Sequence, residues 1–324
     1  MTRILILLHA IVAVGLTMVA TASAAQETST GKPIRIIYPY TAGGSATVLA
    51  QLLVEQLTKL RGQPAIAEAR PGGNTIIGSQ AVAGAAPDGH TLLLQNSAHV
   101  INPSLLKTPY DTVKDFVPVA TLVSTDYLVT INPELPVNSL QELIALAKAK
   151  PGTLNYGSTG NGSVTHLLAE LFNITAGVKT THIPYKGSAH AMTDLAGGQI
   201  QMYFSPPDVA ASLVKSGKLR ALAITGKQRF AELPQVPTFA EAGLPSFNVA
   251  IWFGIFAPRD TPRPVVEKLS ADIARILTLP DVQANLWSRG FTPFVSTPEQ
   301  FAELVKTDLA PFANVIKTAG IRAN

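Results

Sequence analysis

The chain has 324 residues, 47% of them hydrophobic and 14% charged, with no cysteine and 25 basic against 21 acidic side chains. That hydrophobic share is more than one core commonly holds, so two domains or one long α/β unit is expected and a disordered chain is excluded. The basic residues are scattered, which disfavours nucleic acid as a partner, and the missing cysteines exclude disulfides, cysteine-ligated zinc and a thiol nucleophile.

The first 24 residues read as a secretory leader: Arg3 supplies a charged start, Ile4 to Ala20 an apolar run, and Ala22-Ser23-Ala24 an A-x-A cleavage signal. Cleavage is expected after Ala24 or Ala25. Loss of Arg3 leaves 24 basic against 21 acidic residues, a net charge of +3. The alternative is an uncleaved anchor, since an apolar run of about 17 residues lies at the lower edge of a spanning helix. No later stretch approaches about 18 unbroken apolar residues, so the mature protein is expected to be soluble and periplasmic. Export without cysteine suits a core large enough to need no staples.

From Ile34 to Tyr40, IRIIYPY is β-branched and aromatic and reads as a strand; TAGG follows as a turn. Ser45 to Leu60 then sets Val48, Leu49, Leu52, Leu53 and Leu57 on one helical face. AIAEARP and TLLLQNS give two more strands, with turns at Pro71 to Asn74 and Pro87 to His90. This alternation predicts a parallel sheet covered by helices.

A second round follows VPVATLVSTDYLVTIN. Ser139 to Glu142 is a capping box opening a helix that runs to Lys150, LNYGSTGNGS reads as strand and loop, and Val164, Leu167, Leu168, Leu171 and Phe172 form the next apolar stripe. TTHIPYKG, IQMYFSP and LRALAIT supply short strands, and Thr238 to Glu241 and Thr297 to Gln300 are further capping boxes. Long apolar strands near 120 to 131 and 248 to 257 predict two lobes that the chain crosses twice, with a cleft between them.

One device occurs in both rounds. Thr41-Ala42-Gly43-Gly44-Ser45 and Gly157 to Ser163 each join a strand to a helix with a glycine-rich backbone. Glycine lets the backbone turn its N–H groups toward a guest, the first helical turn leaves N–H groups unpaired, and the macrodipole adds partial positive charge. An anion is the natural ligand. Neither loop carries the lysine of a P-loop or a complete G-x-G-x-x-G, so a nucleotide phosphate is disfavoured. A carboxylate fits, with hydroxyls available from Ser45, Thr47, Ser158, Thr159 and Ser163. Three or four charge-assisted bonds of about 1.5–3 kcal/mol each support micromolar binding, about −8 kcal/mol after ordering costs.

These stretches, together with YPYTAGGSATVLAQLL, EARPGGNTIIGSQAVAGAAPDGHTLL, ALAKAKPGTLNYGSTGNGSVTHLLAELF, HIPYKGSAHAMTDLAGGQIQMYF and LPQVPTFAEAG, resemble the periplasmic receptors of tripartite tricarboxylate transporters, the Bug-type family, over nearly the whole mature chain. The resemblance implies an α/β, two-lobed periplasmic binding protein of the type II, Venus-flytrap kind, each lobe a mixed, mostly parallel sheet flanked by helices. It places lobe 1 at residues 25–124 plus 250–324 and lobe 2 at 125–249. It implies a small carboxylate ligand, delivery to membrane permease subunits, a monomer and no cofactor. By position, ligand contacts fall on Thr41, Ala42, Gly43, Gly44, Ser45 and Thr47, and on Gly157, Ser158, Thr159, Gly160, Gly162 and Ser163. The end of the MYF-type strand adds Tyr203, Phe204, Ser205 and Asp208.

The family's first loop commonly reads Pro-Pro-Gly-Gly-Ser-Thr-Asp; here Thr41-Ala42 replaces the prolines and Ala46-Thr47 the last two residues. The aspartate often found after the MYF-type strand is replaced by Ser205. A ligand without an amino group fits these losses.

Other residues have two readings. His166 either donates to the ligand or caps local backbone; Asn96 either reaches the cleft or serves a turn. Trp252 and Phe253 are expected in the core, and Tyr185-Lys186-Gly187 as a turn with a solvated lysine. The histidines show no metal spacing, and no G-x-S-x-G elbow marks a hydrolase, so neither a metal nor catalysis is expected. A receptor that signals to a membrane sensor remains an alternative to transport.

Overall fold

Two sheets organise the chain in the computed structural model, which describes residues 31–247, 249 and 251–321. The expected leader, residues 1–24, lies outside them, and every element below belongs to the unit that begins at Pro33. The first sheet holds β1 (Ile34–Tyr38), β2 (Ala65–Ala69), β3 (Thr91–Asn96), β4 (Phe116–Thr125), β10 (Ile251–Pro258) and β11 (Phe291–Pro293), in the order β11-β4-β10-β3-β1-β2. The second holds β5 (Leu128–Ile131), β6 (Asn155–Ser158), β7 (Thr181–Pro184), β8 (Met202–Ser205) and β9 (Arg220–Ile224), in the order β7-β6-β8-β5-β9.

Each sheet is mixed. Pairing is parallel where helices carry the chain back, β1 with β2 and β3, and β6 with β7 and β8. It is antiparallel around β10 and around β5, where the chain passes from one sheet to the other. The expected parallel character therefore holds for one side of each sheet.

The helices are α1 (Ser45–Arg61), α2 (Ile76–Ala83), α3 (Ala98–Ile101), α4 (Leu140–Ala149), α5 (Val164–Ala176), α6 (Ser188–Ala196), α7 (Pro207–Lys215), α8 (Arg263–Leu277), α9 (Pro280–Ser288) and α10 (Pro298–Ala319). The stripe expected on α1 faces the first core: Leu49, Leu53 and Leu57 are buried against Ile34, Ile36 and Leu94. Each such leucine contributes roughly 1.5–3 kcal/mol. In the second core Leu167, Leu168 and Phe172 of α5 pack with Val129, Phe204 and Phe239. The last helix serves both. Its Phe301 and Val305 join Trp252 and Phe256 against the first sheet, Ile316 enters the second core, and half-buried Phe312 packs against both. Pro311 lies inside the helix between these two contacts.

Two expectations need correction. The apolar run near 120 to 131 is not one strand: Thr125 pairs with Ile251 in the first sheet and Leu128 with Ser205 in the second. The break falls at Asp126, whose carboxyl burial pushes up to about 6 while Thr225 pulls the other way. Thr238 to Glu241 makes both capping bonds, Glu241 N to Thr238 Oγ1 at 3.1 Å and Thr238 N to Glu241 Oε2 at 2.8 Å, yet no helix follows. Gly243, at φ 87°, takes the chain out of the turn, a backbone state that ends helices. The box at Thr297 is complete and does open a helix, with Pro298 in its first turn.

Candidate functional site

The first glycine loop leaves β1 at Tyr38 and enters α1. Gly43 has φ 93°, a left-handed state that a side chain disfavours, and its N–H donates to Thr47 Oγ1 at 3.1 Å. Gly44 occupies the cap position and Ser45 is the first helical residue. Its hydroxyl is thereby free to donate to Asp208 Oδ1 at 2.8 Å, from the first sheet's helix to the second sheet's. The loop is held from beneath by Tyr40, whose hydroxyl donates to Asn96 Oδ1 at 2.6 Å. Burial pushes that phenol well above its ordinary value.

The second loop turns at Gly160 (φ 123°) and Gly162 (φ 72°). Thr159 N donates to Thr165 Oγ1 at 2.9 Å, and Ser163 caps α5 by accepting from His166 N at 3.3 Å. His166 Nδ1 accepts from Gly162 N at 2.9 Å. The ring stacks on His182 at 3.8 Å between centroids, and His182 Nε2 lies 2.6 Å from Ser158 Oγ. Burial first, then the neighbouring ring, lowers His166 to about 3; burial lowers His182 to about 4. Both rings are neutral at pH 7; His166 holds the Gly162 backbone and His182 the Ser158 hydroxyl.

The two loops face one cavity of about 710 Å³, within the range of small-molecule sites. Thr41, Ala42, Gly44 and Ser45 line one side, and Thr159, Gly160 and Ser163 the other, with Asn96 at the end of β3. The remaining candidates stand behind the wall. Gly43 and Thr47 shape the first loop; Gly162 and His166 shape the second, where His166 accepts from the Gly162 backbone. Gly157 packs where a Cβ would meet Ile200 Cδ1 at 2.6 Å, and Ser158 is fully buried. Tyr203, Phe204 and Ser205 are buried too: Tyr203 bonds Ser188 through its hydroxyl at 3.1 Å, Phe204 packs on Phe247, and Ser205 Oγ lies 2.6 Å from Thr130 Oγ1. A strand that alternates between two covered faces offers none of these side chains to the cavity. Asp208 reaches it only through Ser45.

Two cavity segments escaped the sequence reading. The turn expected at Pro71 to Asn74 contributes Gly73 and Asn74 to the cavity wall, with Thr75 beside them, and Asn74 and Thr75 have φ 52° and 73°. The left-handed state is costly for a β-branched residue and persists where the surroundings over-determine it. Here Thr75 Oγ1 accepts from Gln95 Nε2 at 3.0 Å and from Asn102 Nδ2 at 2.9 Å. Lys186 and Gly187, expected in a turn with a solvated lysine, also line the cavity, together with Ser188. Phe253 was expected in the core and is buried, yet its edge forms part of the wall. A signal was present: both segments lie between a strand and a helix, the pattern that singled out the first two loops.

Electrostatically the site is one-sided. The first turns of α1, α2, α5 and α6 all contribute wall residues, so four helix N-termini point partial positive charge at one space. Among the described wall residues, Lys186 is the one with a formal charge and none is acidic. Among the described residues no cluster of metal-ligating side chains occurs. Close approaches hold the loops in place: a Cβ on Gly187 would overlap Thr41 Oγ1 across the cavity, and one on Gly162, behind the wall, would overlap Leu105 Cδ1.

Two mixed α/β sheets facing each other across an anion-friendly cavity define a two-lobed solute-binding protein. The chain belongs to the tripartite tricarboxylate transporter family of receptors, whose family model matches residues 49–321. It is 34% identical over 325 residues to the protein BugT of Bordetella pertussis, covering 99% of each chain. Among solved structures it is similar to R. palustris Rpa4515 with adipate, at TM-score 0.86 and 32% identity, covering 91% of this chain and 99% of that one. It is likewise similar to MatC from Rhodopseudomonas palustris with bound malate, at TM-score 0.79 and 32% identity, covering 88% and 98%. Receptors of this family are periplasmic.

Proposed function

We propose that this chain is an extracytoplasmic receptor that captures a small carboxylate without an amino group between its two lobes and hands it to the membrane permease of a tripartite tricarboxylate transporter. The observation that carries the reading is the wall itself: four helix N-termini and one lysine, with no acidic side chain among its described residues. That wall suits a carboxylate and leaves an ammonium group without a counter-charge. The adipate and malate held by its structural neighbours are of the same chemistry. The lobes are read as 25–124 plus 250–324 and 125–249, joined at Asp126 and before β10. Ligand contacts are assigned to the loop residues Thr41, Ala42, Gly44 and Ser45 and to Thr159, Gly160 and Ser163, supported by Asn74, Thr75 and Lys186.

Closure follows from the same geometry. A ligand that bonds loops of both lobes favours the state in which they meet, and one that bonds a single lobe does not shift the equilibrium. A thermal-shift panel of adipate, malate, benzoate and glutamate tests the reading. The first three are expected to include a stabilising ligand, worth about 2.7 kcal/mol at 100 times its dissociation constant, and glutamate is not. Stabilisation by glutamate alone, or by no carboxylate, would refute it. Slower uptake of the stabilising compound by a strain lacking the receptor tests delivery to the permease.

A further inference from the structure

Ser45 has one hydroxyl proton, and it is spent on Asp208. That commits the one side chain in the first turn of α1 that lines the cavity and carries a donor. Asp208 sits in the first turn of α7, two residues after Pro206, which also lines the cavity. Its Oδ2 is buried with no hydrogen-bond partner. A ligand carboxylate at the α1 N-terminus would thus face a second, half-satisfied carboxylate across a single hydroxyl. Two anions sharing a desolvated site cannot both stay charged at low cost.

We propose that Asp208 sets the protonation state in which the receptor accepts an anion: binding of a carboxylate at Ser45 is coupled to uptake of one proton from solvent by Asp208. In the protonated state the Asp208 hydroxyl donates to Ser45 Oγ, the bond reverses direction, and the Ser45 proton turns to the ligand. One proton enters from water and none leaves the ligand. This rests on the carboxylate-receptor reading and adds to it a partner that the wall residues do not reveal.

The groups around Asp208 permit this. Ser45 from α1 and the N–H groups of Asp208 and Val209 at the start of α7 favour its charged form, as does the more distant Arg289 after α9. Burial outweighs them and pushes the carboxyl up to about 6. Tyr203 on β8 and Tyr127 just before β5 face it as neutral phenols, both pushed up by burial, and Tyr40 faces Tyr127. Asp126 engages Thr225. The window is then the one in which the free protein has lost the proton and the complex keeps it.

Calorimetric titration of adipate, malate and benzoate into the full-length protein across roughly pH 5 to 8 decides the matter. Above about pH 6 affinity is expected to fall by up to tenfold per pH unit, reaching a plateau below. Heats compared in phosphate and Tris should show proton uptake approaching one per ligand at the alkaline end. Asp208→Asn, whose amide donates to Ser45 as the protonated acid does, should bind with level affinity across the range and exceed wild type above pH 7. A wild-type affinity independent of pH, no proton uptake, or the same slope in Asp208→Asn each overturns the inference. Absence of binding by all three probes at every pH would remove the carboxylate-receptor reading, and this inference with it.

Discussion

Thr41 and Gly187 meet across the cavity so closely that a β-carbon on Gly187 would occupy the space of the Thr41 hydroxyl. Gly187 is extended, with φ 172°, so its backbone tolerates any residue and the crowding alone forbids a side chain. Gly187→Leu is therefore expected to weaken carboxylate binding by tenfold or more while the melting temperature of the free protein changes little. Calorimetry paired with thermal unfolding checks this, and unchanged affinity would show that the lobes need not approach there.

Gly162 behaves differently. Its φ of 72° makes any Cβ costly by roughly 1–2 kcal/mol, and that Cβ would also overlap Leu105 and come within 3.2 Å of Asn74 Nδ2. Gly162→Asp should lose both stability and binding, whereas Gly43→Asp, with φ 93° but open space around it, should lose binding with a smaller fall in melting temperature. Denaturant midpoints for the two variants, measured without ligand, separate the outcomes.

Thr75 holds an unfavourable backbone state with two side-chain bonds. Thr75→Ala keeps the strain and leaves the Gln95 and Asn102 amides short of an acceptor, so a loss of about 1–3 kcal/mol is expected in urea unfolding. A variant as stable as the wild type would mean that the loop relaxes without those bonds.

The His166–His182 stack predicts an acid limb. Folded-state values near 3 and 4 lie below the ordinary 6.5, so the unfolded chain binds more protons between them. The stabilisation is complete above about pH 6.5 and is lost as pH falls toward 4. Asp126 and Asp208, both raised, contribute with the opposite sign in this window. Comparing His182→Gln with wild type isolates the histidine part: the urea midpoint of the variant should fall less between pH 7 and about pH 5. Parallel falls in both proteins would assign the acid limb to other groups.

Periodicity made the helices legible because each buries a stripe, as Leu49, Leu53 and Leu57 show. The glycine loops were legible because their composition serves little else between a strand and a helix. What was hidden is long-range. Nothing in an apolar run marks that Thr125 and Leu128 belong to different sheets. The Ser45–Asp208 bond joins residues 163 apart, so its effect on the first turn of α1 was invisible from either end. The left-handed Thr75 was unreadable for another reason: its conformation is imposed by Gln95 and Asn102, against the preference of a β-branched residue.

The C-terminal helix carries one more implication. Pro311 has no N–H, so the carbonyl of Thr307 lacks its rung in the helical ladder. On one side of it Trp252 Nε1 donates to Asp308 at 2.7 Å; beyond it Ile316 is seated in the second core and Phe312 touches both cores. The helix is thus a rod clamped at both ends with its softest point at mid-span. A bend of the helix is easiest at that missing rung, and Phe312, one residue on and touching both cores, ties the two halves together across it.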